Sequence, residues 1–287
     1  MSFVVFADGT SNLPDFLRKG IRMLPCEYTV NGEPRVYTGD LESFDVHAYY
    51  ESLRNGLEVK TSLLNTHLFL EEFLPVLKQG LDVIYVAMSS GISGTFGAAV
   101  AAAQELMGEF KARFIHIVDS MGCGLGTGML AARAQRLSDA DVDVREAAKI
   151  LDEEVPHTCQ YFTVDDLNFL KRTGRVSGMT ARIGTVLNIK PILYGDKEGH
   201  IVSCGIARGR KKAIDDLVKK YRDKHLDDQD MGVYISHGDC LEDAERLAEL
   251  VKGVTPDVKL TICKHEPFSG SHVGPGMLSL FFRGKER

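Results

Sequence analysis

Residues 82–106 read DVIYVAMSSGISGTFGAAVAAAQEL: an apolar run of strand length, a turn of hydroxyl and glycine residues, then an alanine-rich helix. A buried strand feeding a helix through so short a turn is the repeating unit of an α/β fold with parallel pairing. The turn sets Ser89, Ser90, Ser93, Gly94 and Thr95 at the helix N-terminus. Unpaired backbone N–H groups and the positive end of the helix dipole favour an anion there. No Lys or Arg lies between Asp82 and Glu105, so nothing local neutralises a polyphosphate and a single carboxylate is the expected guest. One Ser would need no reading beyond a helix cap. Four hydroxyls and three glycines between 89 and 97 carry more than that.

Spelling excludes two other loops. A P-loop needs Lys after its second glycine, whereas Gly94 is followed by Thr95 and Phe96. A serine-hydrolase elbow needs Gly-x-Ser-x-Gly, and Thr95 stands where the last glycine belongs.

Working outward, FVVFAD (3–8) is a short strand that ends in the polar turn Asp8-Gly9-Thr10-Ser11-Asn12. MLPCEYTVNGEPRVYT (23–38) predicts a hairpin around Asn31-Gly32. Ser43 is the expected cap of a helix to Leu53, and Thr66 of one to Lys78, with Pro75 a point of distortion. RFIHIVDS (113–120) is a strand that leads through a glycine-rich loop into MLAARAQRL. No start within Gly122–Gly128 gives Gly-x-Gly-x-x-Gly, so the loop is read as a tight turn and not as a dinucleotide site.

After a helix over 143–155, capped by Asp143, the texture changes. Strands are expected at 159–164, 191–195, 200–207, 231–238 and 258–265, with helices at 165–171, 179–188, 210–224 and 241–252. Gly195–Gly199 reads as a hairpin turn, which implies antiparallel pairing in this half. The expected architecture is α/β with two domains, 1–156 mostly parallel and 157–287 mixed or antiparallel, and a ligand tunnel between them.

The 287 residues carry a net charge of −6, with 44% apolar and 26% charged residues, which gives no electrostatic reason to expect nucleic acid or an anionic membrane. Six scattered cysteines contain no Cys-x-x-Cys, and the histidines show no ligand spacing, so no metal and no cofactor are expected. The start MSFVVFADGT enters a strand directly, and no apolar run reaches membrane-span length. The expected location is cytoplasmic, with reduced thiols and no stable membrane insertion.

Several segments together resemble the DegV family of bacterial fatty-acid-binding proteins, also called FakB. They are Asp8-Gly9-Thr10, Thr61-Ser62, Ser89-Ser90-Gly91-Ile92-Ser93-Gly94-Thr95, Val118-Asp119-Ser120, Asp165 through Val176, Asn188 through Leu193, and His272-Val273-Gly274-Pro275-Gly276. They occur in family order across nearly the whole chain. The resemblance implies a long-chain fatty acid in a buried tunnel, its carboxylate held by Thr61, Ser93 and a network including His272. Ser62, Gly94, Thr95 and Gly274 of the same segments are expected to bind the carboxylate with them, and Asn65, Asp8 and Ser120 are candidate head-group supports. It implies a non-catalytic role, presenting the acyl chain to a separate fatty-acid kinase that makes an acyl phosphate from ATP. The chain departs from the family at Leu63-Leu64-Asn65, where Gln-Pro-Ser is usual.

About 15 buried methylenes give an upper bound of roughly 12 kcal/mol, against about 1 kcal/mol per neutral hydrogen bond, so the tunnel carries affinity and the hydroxyls fix orientation. A carboxylate ringed by hydroxyls and amides also stays a competent nucleophile. Met88, Ile92, Leu63, Leu64, Phe96 and Met277 are candidates for the tunnel wall or the core alike. His272 is read in a turn-rich loop and the other eight histidines as structural or surface residues. Arg175, at a helix exit, and Arg208, before a basic helix, are candidates for partner docking. The alternative function is a serine hydrolase or acyltransferase with Ser93 as nucleophile and His272 as base.

Overall fold

The computed structural model describes residues 3–176, 188–226 and 231–287, so the helix expected over 179–188 lies outside the described residues but for its last position. The first half contains β1 (Phe3–Asp8), α1 (Asp15–Arg18), β2 (Arg22–Leu24), β3 (Cys26–Val30), β4 (Glu33–Tyr37), α2 (Val46–Arg54) and β5 (Val59–Thr61). It continues with α3 (Thr66–Lys78), β6 (Asp82–Ala87), α4 (Thr95–Glu109), β7 (Ile115–Asp119), α5 (Leu125–Asp139) and α6 (Val144–Glu154). Next come β8 (Thr158–Thr163), α7 (Asn168–Thr173), β9 (Ile189–Gly195), β10 (Ile201–Arg208) and α8 (Arg210–Lys224). The chain then forms β11 (Val233–His237), α9 (Leu241–Val254), β12 (Leu260–Lys264), α10 (Pro267–Val273) and β13 (Leu278–Arg283).

The first sheet is parallel, in the order β2-β1-β6-β7, with Phe3 opposite Asp82 and Val83 opposite Ile115. Its two faces divide by alternation. Val4, Phe6, Val83 and Tyr85 meet Phe69, Phe73, Ala99 and Ala102 of α3 and α4. Val5, Ala7, Ile84 and Val86 meet Leu130, Ala131, Ala147 and Leu151 of α5 and α6. A central strand covered on both faces is why 82–87 reads as a continuous apolar run. The expected hairpin forms as β3–β4 around Asn31 and Gly32, both at positive φ, and β5 adds to it antiparallel.

The second sheet is mixed, in the order β10-β9-β8-β13-β11-β12. β9 and β10 pair antiparallel across the expected turn, and β11–β12 is its parallel pair. β13, which sequence reasoning left unassigned, takes a central place between β8 and β11, antiparallel to both. α8 and α9 cover the face presenting Tyr161, Ile235, Leu280 and Phe282. All strands of the parallel sheet precede residue 120, and all strands of the mixed sheet follow residue 157.

Two caps differ from expectation. Asp45, not Ser43, caps α2 by accepting from Ala48 N at 3.0 Å, while the Ser43 hydroxyl donates to Asp40. Asn65, not Thr66, caps α3 through Leu68 N at 3.0 Å, and the helix runs on through Pro75. Asp45 stands next to the first helical residue while Ser43 is two residues further out, and Asn65, a stronger cap than Thr, precedes Thr66, which is already the first residue of its helix. Asp143 caps α6 as expected. The described helices include none long and apolar enough to cross a membrane.

Candidate functional site: a cavity between the two sheets

A cavity of about 530 Å³ lies between the carboxyl-end loops of the parallel sheet and the uncovered face of the mixed sheet. The first half supplies Thr61, Ser62 and Leu63 after β5, Met88 and Ser90–Gly94 after β6, and Met121–Cys123 after β7. The second supplies Tyr161 and Phe162 of β8, Leu170 of α7, Ile201 of β10, Phe268 and Val273 of α10, and Met277 and Phe281. Carbon and thioether sulfur dominate this wall, the environment of an alkyl chain.

Polar side chains also stand on this wall, among them Thr61, Ser93, Gln160, His265 and His272. Thr61 Oγ1 and His272 Nε2 are 2.9 Å apart. Ser93 Oγ donates to Thr95 Oγ1 at 3.1 Å and accepts from Thr95 N, while Thr95 Oγ1 accepts from Leu64 N at 3.2 Å. That last bond ties the loop after β5 to the start of α4. Burial pushes the His272 pKa down to about 4, with the nearby Arg175 guanidinium adding to the effect, so the imidazole is neutral at pH 7. Its Nδ1 is buried with no hydrogen-bond partner among the described residues. His272 sits in the last turn of α10 rather than in an irregular loop.

Thr61, Ser62, Ser93, Gly94, His272 and Arg175 share the cavity wall. The β6 loop lacks cations as read, but α7's exit brings Arg175 into the cavity, where its guanidinium also donates to Thr173 O. Arg175 thus replaces the cation-free surrounding expected for a carboxylate. Leu63, Met88, Ile92 and Met277 also line the cavity, whereas Leu64 and Phe96 pack into or against the first-half core.

Asp8, Asn65, Thr95, Ser120, Arg208 and Gly274 lie off the wall. Asp8 accepts from Thr10 and Tyr85 in the core, and Asn65 caps α3. Ser120 pairs with Thr127 at 2.9 Å beneath the β7 loop, and Arg208 is exposed at the end of β10. At Gly274, φ is +77° and a Cβ would stand 2.5 Å from the Phe169 ring, so only glycine lets the chain leave α10 there.

Other motif residues knit the scaffold. Asp119 Oδ1 accepts from Ser90 N at 3.2 Å and Met121 N at 3.0 Å, clamping two cavity loops together. Asp165 accepts from Lys190 Nζ at 2.6 Å, and a Cβ on Gly276 would collide with the same carboxylate.

Sequence reasoning missed the fully buried His265, Ser269 and Glu266. His265 and Ser269 line the cavity, and burial pushes the His265 pKa down to about 3 and the Glu266 pKa up to about 7. The one available signal was Glu266-Pro267, an acid followed by a proline suited to the first helical position. Among the described residues no cluster of His, Cys, Asp or Glu is arranged to hold a metal ion.

A parallel α/β layer thus faces a mixed sheet across a largely apolar cavity whose wall also carries hydroxyls, two histidines and Arg175. The family model described as "uncharacterised protein, DegV family" matches residues 2–285, and the chain belongs to that family. A DegV domain-containing protein of Clostridium perfringens is 34% identical over 98% of this chain and 97% of its own length. One from Lactococcus lactis is 30% identical over 98% and 97%.

Among solved structures, a DegV family protein from Thermus thermophilus, described by its fatty acid binding, superposes with a TM-score of 0.84 at 26% identity, covering 99% of this chain and 100% of that one. Bacillus subtilis DegV, described as a fatty acid binding protein, gives 0.82 at 28% identity, with 99% and 100% coverage.

Proposed function

We propose that this chain binds one long-chain fatty acid in the cavity and presents it to a separate fatty-acid kinase, with residues 1–156 and 157–287 as the two walls. The observation that carries the reading is the makeup of the cavity wall: largely apolar, with Thr61 and His272 in hydrogen-bond contact and Ser93 and Arg175 on the same wall. There the Thr61 hydroxyl donates to the carboxylate and accepts from Nε2–H of the neutral His272, so binding selects one imidazole tautomer. Ser93 turns its hydroxyl to the same group, and Arg175 supplies the counter-charge. The cavity rim includes the exposed Ser62, Leu63, Ser90 and Gly94, through which a phosphoryl donor on a partner protein could reach the carboxylate.

The hydrolase alternative finds less support. Ser93 donates to Thr95 and His272 pairs with Thr61, so among the described residues no hydrogen bond joins nucleophile to base.

Mass spectrometry of an organic extract of the purified protein tests the reading. One stoichiometric fatty acid is expected. An empty protein that also takes up neither oleate nor palmitate overturns it. Thr61→Ala combined with Ser93→Ala should weaken binding and slow acyl-phosphate formation by the kinase; no change in either removes the assigned head-group site.

A further inference from the structure

His272 owes its place to a seven-residue helix, and a helix that short has little intrinsic stability. What fixes α10 is the residue before it. The Glu266 carboxylate accepts from Ser269 N at 2.8 Å through one oxygen and from Phe268 N through the other, and the Ser269 hydroxyl also donates to it. The Glu266 backbone N–H donates to Asn12 Oδ1 at 2.8 Å, and Asn12 Nδ2 donates to Lys264 O at 3.0 Å. Asn12 belongs to the first half and holds a left-handed backbone at φ 54°. Ser269 also pairs with His265 Nε2 at 3.0 Å, and His265 Nδ1 with Ser236 at 2.8 Å.

Around the outside, Tyr49 Oη donates to Pro267 O at 2.7 Å and Tyr50 Oη to His265 O at 3.2 Å. The Glu266 carboxylate therefore holds the first turn of α10, and the Glu266 backbone N–H ties that turn to Asn12 of the first half. α10 carries Phe268, Ser269, His272 and Val273 of the cavity wall.

We propose that Glu266 is a positioning residue for the ligand's head group: through its double cap and its tie to Asn12 it sets the rotation and depth of α10, and so the register of His272 against Thr61. This rests on the fatty-acid reading of the cavity. Both Glu266 oxygens accept N–H bonds, so a glutamine must turn its own NH₂ toward one of those donors and the first turn of α10 must move. Aspartate keeps two acceptors on a shorter stem. A merely structural role would weaken a carboxylate ligand and a matched alcohol alike. A positioning role weakens chiefly the ligand that uses His272 and Thr61.

The test compares binding of oleate and oleyl alcohol to the full chain. The wild type should prefer oleate. Glu266→Gln should cut that preference by about fivefold, the worth of one net hydrogen bond, and Glu266→Asp should recover most of it. Should Glu266→Gln not fold, Asn12→Ala removes the other half of the tie and should lower the same preference. An unchanged preference in whichever of these variants folds overturns the inference. A wild type that binds neither ligand overturns the fatty-acid reading itself, and this inference with it.

Discussion

Two polar clusters meet on α10, where Ser269 and His272 are three residues apart, and are built from the same kinds of side chain. The inner one contains Asp8, Asn12, Ser236, His265, Glu266 and Ser269. Its members bond to one another or to backbone: Asp8 accepts from Thr10 and Tyr85, Asn12 bridges Lys264 O and Glu266 N, and His265 is held at both ring nitrogens. The outer cluster contains Thr61, Ser93, Thr95 and His272. There His272 Nδ1 has no partner among the described residues, Thr61 and His272 both face the cavity, and the surrounding rim reaches solvent. A saturated network holds one geometry, whereas one with spare capacity accommodates a guest. The difference divides scaffold from site more sharply than residue type or burial does.

The largest effect expected from this division is on stability, at Asp8. Asp8→Ala leaves the buried Tyr85 hydroxyl and the Thr10 donors without their acceptor, which should cost about 2–4 kcal/mol in a urea denaturation. Oleate affinity of the protein that remains folded should change by less than about twofold. A large loss of affinity at small cost in stability would break the division and return Asp8 to the head-group site.

Acid should act on both clusters, with the two histidines and Glu266 responding in opposite directions. Burial lowers the pKa of His265 from 6.5 to about 3, and of His272 from 6.5 to about 4. The folded state therefore binds fewer protons than the unfolded chain below pH 6.5, so each histidine contributes stability that is lost as pH falls from there toward its folded value. Burial raises Glu266 from 4.5 to about 7. Its ionised form weakens the fold above that pH, and acidification toward 4.5 returns stability.

Between pH 7.5 and 4.5 each histidine forfeits about 2–3 kcal/mol and Glu266 returns about 3, a net loss of about 2 kcal/mol. His272→Gln should remove roughly 2 kcal/mol of the acid loss, read from thermal or urea midpoints at the two pH values. An acid response identical to wild type would show that His272 is not held neutral by burial.

Much of the scaffold was legible because its signals are local. The run 82–87 with its hydroxyl turn, the Asn31-Gly32 hairpin and the Asp143 cap each need only a few neighbouring residues. β13 was not legible: LSLFFR is a short apolar run, and its central position depends on pairing with β8 and β11, many residues away. Thr61, Ser93 and His272, named through the resemblance, share the cavity wall, while composition near the β6 loop gave no sign of Arg175, which arrives there from the other half. His265 and Glu266 were passed over for a physical reason. A buried histidine and a buried acid are identified by what surrounds them, and Asn12 and Ser236 reach them across more than two hundred and about thirty residues respectively.

The smallest effect tests the outer cluster at its central bond. Thr61→Val keeps the shape of the side chain and removes the hydroxyl; His272→Gln keeps polarity and removes the ring. Each alone should weaken oleate binding about fivefold to tenfold, since each removes a hydrogen bond to or beside a charged group. Fold stability should move by less than about 1 kcal/mol for Thr61→Val, because Thr61 is only half-buried and its one side-chain bond among the described residues is to His272.

If the two groups act as one relay, with Thr61 donating to the carboxylate while accepting from His272, the second substitution has little left to remove. The double variant should then bind only slightly more weakly than either single one, a coupling of about 1 kcal/mol. Full additivity would mean that the two side chains reach the ligand independently, and that the 2.9 Å contact between them is incidental to binding.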